Sequence, residues 1–596
     1  MKNSIKIVLG ALVIGASGFA SCSDMLETNS SSYLNAADHD LNSANDSLYS
    51  VVGILAQIQK LGERYVVVGE ARGDLMELTG NAGMDLQDIA NFTANADNPY
   101  ASTREYYAII NNCNYFLQRV DTTIVAGGRK VMLGEYVSVK TFRAWAYMQL
   151  ALNHGKAVWL TEPVQTINDM NKEYEELSFE PLLERLIQDL SPYLDVTDYP
   201  GYGSIDNTPV SYFLIPVQVL YGDLCLWYGA CAGSRLAYEN AATAYYGWIS
   251  HPQRFFHGGG RFYNVYTNDN FNQVSGAESL WSNIFTNYQA DETISLTKYN
   301  LNRRETMEIP PLTLLCIPGN TSETRKVKPS TAALDLWNNE TYAFYREIGT
   351  QSEVIYTKGD LRGLCSPTST STPLGSCSYA GANESDSMIY ITKYGYYGTN
   401  GFLSLNSYQH LHRAGLLYLR YAEALNALEK PSLALAVLKY GLKPETLNDP
   451  KKITPSEIEP LPAYCNFRNS MYSNSPVRGS RYQTGIHSRG SGDVDRDTVY
   501  YAFKPEALMA NRAYYGCPDA LDNLQDSIRF VNLLICKEIG LETAFEGNRF
   551  HDLMRLSKTY ERLTGKPDFL AKWVARRNPA LEGKLLNPDN WYLPYK

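Results

Sequence analysis

The stretch LHRAGLLYLRYAEALNALEKPSLALAVLKYGL, residues 411–442, decides the fold. Ala and Leu recur at helical contact spacing on both sides of Pro431. A proline inside a helix removes a hydrogen bond and clashes with the preceding turn, so Pro431 divides the run into two helices. Small contact residues let the two helices approach closely. Working outward, the same form recurs. TREYYAIINNCNYFLQRV (103–120) is followed by EYVSVKTFRAWAYMQLALNHG (135–155), which ends on Gly155, a helix stop. Another pair spans about 209–230 and 234–250. Single helices are expected at 41–62 and 173–193, and a last helical stretch at about 520–557. Two blocks differ. Residues 251–407 are rich in Gly, Asn, Ser, Thr and Pro, with β-like pieces such as SLWSNIF (279–285) and SMIYITKYGYY (387–397). Residues 443–517 form a second loop block.

A 596-residue chain usually divides into several domains. Helix pairs spread along the whole length, with irregular insertions between them, instead point to one scaffold over 37–596. The fold class is therefore mostly α. It is a tetratricopeptide-like helical-repeat scaffold built on pairs at about 103–155, 209–250, 411–442 and 520–557, with long loop-rich insertions and a few short strands.

The first 21 residues read as a leader. Lys2 and Lys6 are basic, and Ile7 to Ala16 is apolar but too short to span a bilayer. FASC, residues 19–22, resembles a bacterial lipobox, with Phe19 where Leu is usual. Cleavage before Cys22 would leave that cysteine lipidated and residues 22–36 as a flexible polar tether. The apolar run FLIPVQVLYGDLCLWYGA is broken by Pro216 and Asp223, so no second segment reads as spanning. The chain carries 53 Lys and Arg against 63 Asp and Glu, and losing the leader makes it more acidic. That sign, with no basic run, excludes nucleic acid as a partner. Tyrosine is abundant, at 45 residues, and its apolar face and polar tip suit sugar or peptide contacts. Cys113 and Cys536 lie in helical patterns and read as buried thiols. Cys365 and Cys377 flank a loop that a disulfide could close.

No catalytic motif of serine hydrolases, P-loop enzymes or zinc proteases occurs. The histidines are scattered. DVDRD (493–497) begins like a calcium loop but has Thr498 and Lys504 where Gly and Glu are needed, so no metal or cofactor is expected. The densest charge lies in EIGLETAFEGNRFHDLMRL (538–556). Glycosidases need two carboxylates flanking a sugar. Glu542 and Glu546, four apart on an expected helix, are neighbours on one face. Glu546, Arg549, Asp552 and Arg555 follow at i,i+3, which predicts a self-paired charge ladder bracing the scaffold.

Several segments together carry a resemblance: the lipobox, GEARGDL (69–75), YYAIINNCNYFL (106–117), GEYVSVKTFRAWAYMQLALNHG (134–155), LLYLRYAEALNAL (416–428) and ETAFEGNRFHDLMRL (542–556). In this order they resemble the SusD/RagB family of surface lipoproteins. The resemblance implies a non-enzymatic protein anchored in the outer membrane and facing outward. Such a protein captures an oligosaccharide or polysaccharide and delivers it to a TonB-dependent, SusC-like outer-membrane transporter. Some members handle peptides instead. Sugar capture needs aromatic platforms beside amide and carboxylate groups. Two loop regions offer both. Their candidate ligand contacts are Asn81, Asp85 and Tyr100 in the first, and Trp281, Tyr288, Trp337 and Tyr342 in the second, within the loop-rich 251–407 region. The AALDLW run also reads as a short helix with Trp337 packed inward.

Overall fold

The computed structural model describes residues 44–197, 199–201, 203–205, 207–250, 277–290, 292–299, 309–319, 324–348, 351–363, 375–380, 388–397, 403–406, 408–467, 485–491, 505–509 and 511–595. The leader, Cys22, the tether, Cys365 and the DVDRD loop lie outside these residues.

The long helices, in order, are α1 (Ala44–Lys60), α2 (Gly62–Glu70), α3 (Arg104–Arg119), α4 (Leu133–His154), α5 (Phe179–Leu190), α6 (Val217–Ala232) and α7 (Arg235–Ser250). They continue as α8 (Ala277–Thr286), α9 (Thr331–Asn338), α10 (Ala414–Ala427), α11 (Leu524–Thr543), α12 (Arg549–Thr564) and α13 (Phe569–Ala575). Each expected pair forms. α3 packs on α4 and α6 on α7. α10 packs on the helix Pro431–Leu435, which runs on as a π-helical turn over Ala436–Tyr440. Pro431 occupies the first turn of that helix, where its missing N–H costs nothing. Gly155 closes α4 in the left-handed region at φ 76°, donating its N–H to Ala151 O. The pairs then stack: α7 on α10, α10 on α11, and α12 back on α6.

α6 is the apolar run broken by Asp223. It is buried among its neighbours, as a core helix is. The Asp223 carboxylate is satisfied there by Tyr245 OH at 2.6 Å, His412 Nε2 at 3.0 Å and the Arg420 guanidinium. Ala237, Ala241 and Ala242 of α7, with Ala422 and Ala424 of α10, are 5% exposed or less, which is the close packing that small residues permit.

The loop-rich middle contributes short antiparallel pairs: β1 (Met76–Leu78) with β3 (Val327–Pro329), β2 (Thr293–Lys298) with β10 (Tyr408–Arg413), β4 (Thr341–Ile348) with β5 (Gln351–Lys358), β6 (Cys377–Ala380) with β7 (Met388–Ile391), and β8 (Gly395–Tyr397) with β9 (Leu403–Leu405). SMIYITKYGYY supplies β7 and β8, as its pattern predicts. SLWSNIF is not a strand but part of α8. Its Trp281, Ile284 and Phe285 lie three, one and four apart, so helical winding puts all three on one buried face. The 411–442 run also starts later than expected, because Leu411, His412 and Arg413 finish β10 before α10 begins.

The last helical stretch is two helices. α11 stops at Thr543, and the chain turns through Phe545 (φ 70°) and Gly547 (φ 95°) before α12 starts at Arg549. Glu546 therefore lies in a turn and not one helical turn beyond Glu542. Cys113 and Cys536 are fully buried.

Candidate ligand-binding cleft

The glutamates that crowd 538–556 face cations from other elements. Glu542 is fully buried. Its Oε1 accepts from Arg413 Nη1 at 2.7 Å and Arg489 Nη1 at 2.6 Å, and its Oε2 from Arg362 Nη1 at 3.0 Å. Burial alone would raise its pKa, but the three guanidinium groups hold it well below the usual carboxylate range. Glu546 accepts from Arg413 Nε at 2.7 Å and Lys393 Nζ at 2.5 Å, and these cations hold its pKa down to about 2 despite burial. Glu538 pairs with Arg362, and Glu292 with Arg489 and Arg413. A carboxylate locked in this way cannot lend a proton to a leaving group.

The predicted ladder survives only in its last rung, Asp552–Arg555 at 2.8 Å. Arg549 reaches instead to Asp74, at 2.6 Å, and Arg555 also grips Glu423. The turn at 544–548 removes the Glu546–Arg549 rung, and Arg549, although one helical turn from Asp552 in α12, is drawn away by Asp74. Two of the resemblance segments meet in that turn. Glu70 of GEARGDL accepts backbone N–H groups of Phe545, Gly547, Asn548 and Arg549 at 2.8–3.3 Å, capping the start of α12. Gly69 lies so close that a Cβ there would sit 1.8 Å from Gly547 O. Arg72 donates to Asn153 Oδ1 and Trp591 O, and its guanidinium lies 4.3 Å from the centroid of the Phe550 ring.

The seven candidate ligand residues separate. Trp281 is 1% exposed, its ring 5.1–5.7 Å from the cationic groups of Arg489, Lys393 and Arg413. The ring roofs the buried charge cluster, a cation–π role rather than a sugar platform. Trp337 is also 1% exposed. It packs inward from α9, donates to Leu541 O at 3.3 Å and lies 5.9 Å from the Phe545 ring. Neither indole presents a face to solvent. Tyr342 sits half-buried on the β4–β5 hairpin, opposite Thr357. Asn81 and Asp85 are exposed. Asn98 ties the Asp85 backbone to the turn holding Tyr100, whose hydroxyl donates to Glu63 Oε1 at 2.7 Å. Tyr288 stacks edge-on with Tyr212 and lies 5.9 Å from Tyr408.

Glu63 and Tyr408 are both walls of one cleft, with about 770 Å³ of open space. Its floor and sides come from the α1–α2 junction (Gln59, Lys60, Gly62, Glu63), the end of β2 (Thr297, Tyr299), Pro310–Leu312, and Tyr394, Asn406, Tyr408 and Gln409. Tyr100 and Tyr288 thus each buttress a wall, while Trp281 and Trp337 lie elsewhere. Two polar atoms in this cleft are buried without a hydrogen-bond partner among the described residues: the donor Gln409 Nε2 and the acceptor Asn406 Oδ1. Unsatisfied buried amides are costly, and an exogenous polar group that paired with them would remove that cost. Two partly exposed tyrosine rings, Tyr299 and Tyr408, with the Glu63 carboxylate and the amides of Gln409 and Asn406, suit a polar, ring-bearing ligand, while Tyr394 is buried with its hydroxyl on Phe545 O. Sequence reading missed Glu63, Asn406, Tyr408 and Gln409. The polar alternation of SYQHLHR (407–413) was the available signal, and it marks a strand with Gln409 turned to the cleft.

Among the described residues no cluster of His, Cys, Asp and Glu could hold a metal ion. No sequence-family model matches the chain, and no curated protein matches it. Solved structures do. A SusD superfamily protein from Bacteroides thetaiotaomicron superposes with a TM-score of 0.54 at 15% identity, over 93% of this chain and 96% of that one. One from Bacteroides vulgatus gives 0.54 at 12% identity, over 92% and 91%. A SusD homolog from Bacteroides thetaiotaomicron gives 0.50 at 14% identity, over 94% and 96%. The chain therefore has the SusD fold, along nearly its whole length.

Proposed function

We propose that this protein is a SusD/RagB-type surface lipoprotein that binds a glycan and hands it to a TonB-dependent transporter. The observation that carries the reading is the cleft: the partly exposed Tyr299 and Tyr408 line it together with Gln409 and Asn406, whose amides each keep one atom without a partner among the described residues. Sugar rings stack their C–H faces on aromatics while hydroxyls serve as both donor and acceptor, so one hydroxyl pattern answers Gln409 Nε2 and Asn406 Oδ1 together. The ion-paired state of Glu542 and Glu546 supports binding without turnover. Tyr100 reaches the cleft wall through Glu63, and Tyr288 packs against Tyr408.

Calorimetry against neutral oligosaccharides tests this. Tyr408→Ala and Gln409→Ala should each weaken binding by about 1–3 kcal/mol while leaving the melting temperature within a few degrees. Unchanged affinity in both variants would remove the cleft from the mechanism. Silence across glycans with clear oligopeptide binding would favour peptide capture on the same scaffold, to which backbone amides could equally present a donor and an acceptor. Anchoring at Cys22 predicts that Cys22→Ser releases the protein from membranes. Partnership predicts that a large β-barrel co-purifies from mild detergent.

A further inference from the structure

Beside the cleft lies a second hollow of a different character. It has about 570 Å³ of open space and is lined by Val52, Leu55, Ala56 and Ile58 of α1, with Ile205, Phe213 and Leu296. Gln59 and Thr297 line both hollows, so the two share a wall. That wall is fixed, because the Gln59 side-chain amide donates to Lys298 O. The Lys298 ammonium stands at the junction, 5.7 Å from the centroid of the Tyr408 ring. Leu55, Ile58, Phe213 and Leu296 are each 8% exposed or less, so the base is built from the core, while Ala56 stands exposed at the rim. Apart from Gln59, Thr297 and Lys298, the lining is aliphatic or aromatic. A bare sugar gains nothing there, because its hydroxyls would lose water without finding partners. An apolar group attached to a sugar held in the cleft would bury its surface there and leave the polar part on Gln409 and Asn406.

We infer that the ligand is a substituted glycan, and that an acyl or aryl group on the sugar enters the hollow between α1 and β2. The inference rests on the glycan reading and adds the substituent to it.

The test compares the methyl and p-nitrophenyl glycosides of the same cello-, xylo- and manno-oligosaccharides by calorimetry, on the wild-type chain and on Ala56→Trp. Ala56 is exposed on a helix, so an indole there fills the mouth of the hollow without entering the core; an unchanged melting curve confirms that the variant is folded. The expected result is that the aryl form binds about tenfold more tightly than the methyl form in the wild type. Ala56→Trp should abolish that difference and leave the methyl form's affinity unchanged. Equal affinity of both forms in the wild type, or a difference that persists in Ala56→Trp, overturns the inference and leaves the glycan reading standing. Failure of every glycoside, with binding of Leu- and Val-containing oligopeptides, overturns the glycan reading and this inference with it.

Discussion

Replacing Glu546 by Ala leaves Arg413 and Lys393 buried with less counter-charge, since Arg413 keeps Glu542 and Glu292 but Lys393 loses its ion-pair partner. Breaking one side of a buried pair costs about 3–5 kcal/mol. Urea unfolding of Glu546→Ala should show that loss, with ligand affinity of the folded fraction unchanged. The histidines set a pH dependence. Burial lowers the pKa of His154 and His410 to about 4, from an ordinary 6.5. At these two sites the unfolded chain binds more protons between pH 6.5 and 4, so they withdraw stability as pH falls through that window, while Glu70, which burial raises to about 7, works in the opposite sense between pH 7 and 4.5. Glu546, depressed to about 2, extends the fall from about pH 4.5 downward. His410→Asn should therefore lose less melting temperature than the wild type on going from pH 7 to pH 5. Equal losses in the two chains would contradict the assignment.

At the level of elements, two glycines make opposite predictions. Gly69 faces the Gly547 backbone, so Gly69→Ala forces the α2 end and the 544–548 turn apart, and should destabilise by about 3 kcal/mol. Gly53 lies within α1 with nothing within 4 Å of a new Cβ, so Gly53→Ala should stabilise by about 0.5–1 kcal/mol. Differential scanning fluorimetry of the pair separates close approach from mere helix propensity. The helix pairs were legible because a 3.6-residue period and a proline or glycine at each end are local signals. The misreadings share one cause, that tertiary partners chose the conformation. SLWSNIF has strand-like composition but winds as a helix to roof the cations with Trp281. The 538–556 run is helical on either side of Gly547–Asn548, a local turn signal, and Glu70, Arg413 and Lys393 hold that middle in a turn.

Across the whole molecule, the candidate cleft was only half legible. Tyr100 and Tyr288, read as ligand contacts because aromatic loops advertise themselves, touch the wall residues Glu63 and Tyr408 without lining the cleft. Glu63 and Gln409, which lie in separate elements hundreds of residues apart, meet only when α1–α2 closes on the β2–β10 pair. No local pattern encodes that meeting. The two tryptophans drew attention for their size, yet large aromatics are more often enclosed than offered to solvent. The scaffold accordingly makes the cleft sensitive to the seating of α1. A variant that loosens α1, such as Ile58→Ala, should cost about 2–5 kcal/mol in stability and weaken ligand binding together, read by urea titration and calorimetry.

The Glu70 cap bears on the timing of biogenesis. Its nearest donor along the chain, Phe545 N, is 475 residues away. At about 5–20 residues per second, synthesis separates the two ends of that contact by roughly 25 to 95 s. Until the distant turn emerges, α2 ends in a carboxylate with none of its four N–H partners, beside a glycine surface with nothing to close on it. The N-terminal helices thus cannot lock early, and a chain cut short before Phe545 lacks the clasp altogether. A fastening that closes only with the 544–548 turn keeps the chain open to rearrangement until late in its synthesis.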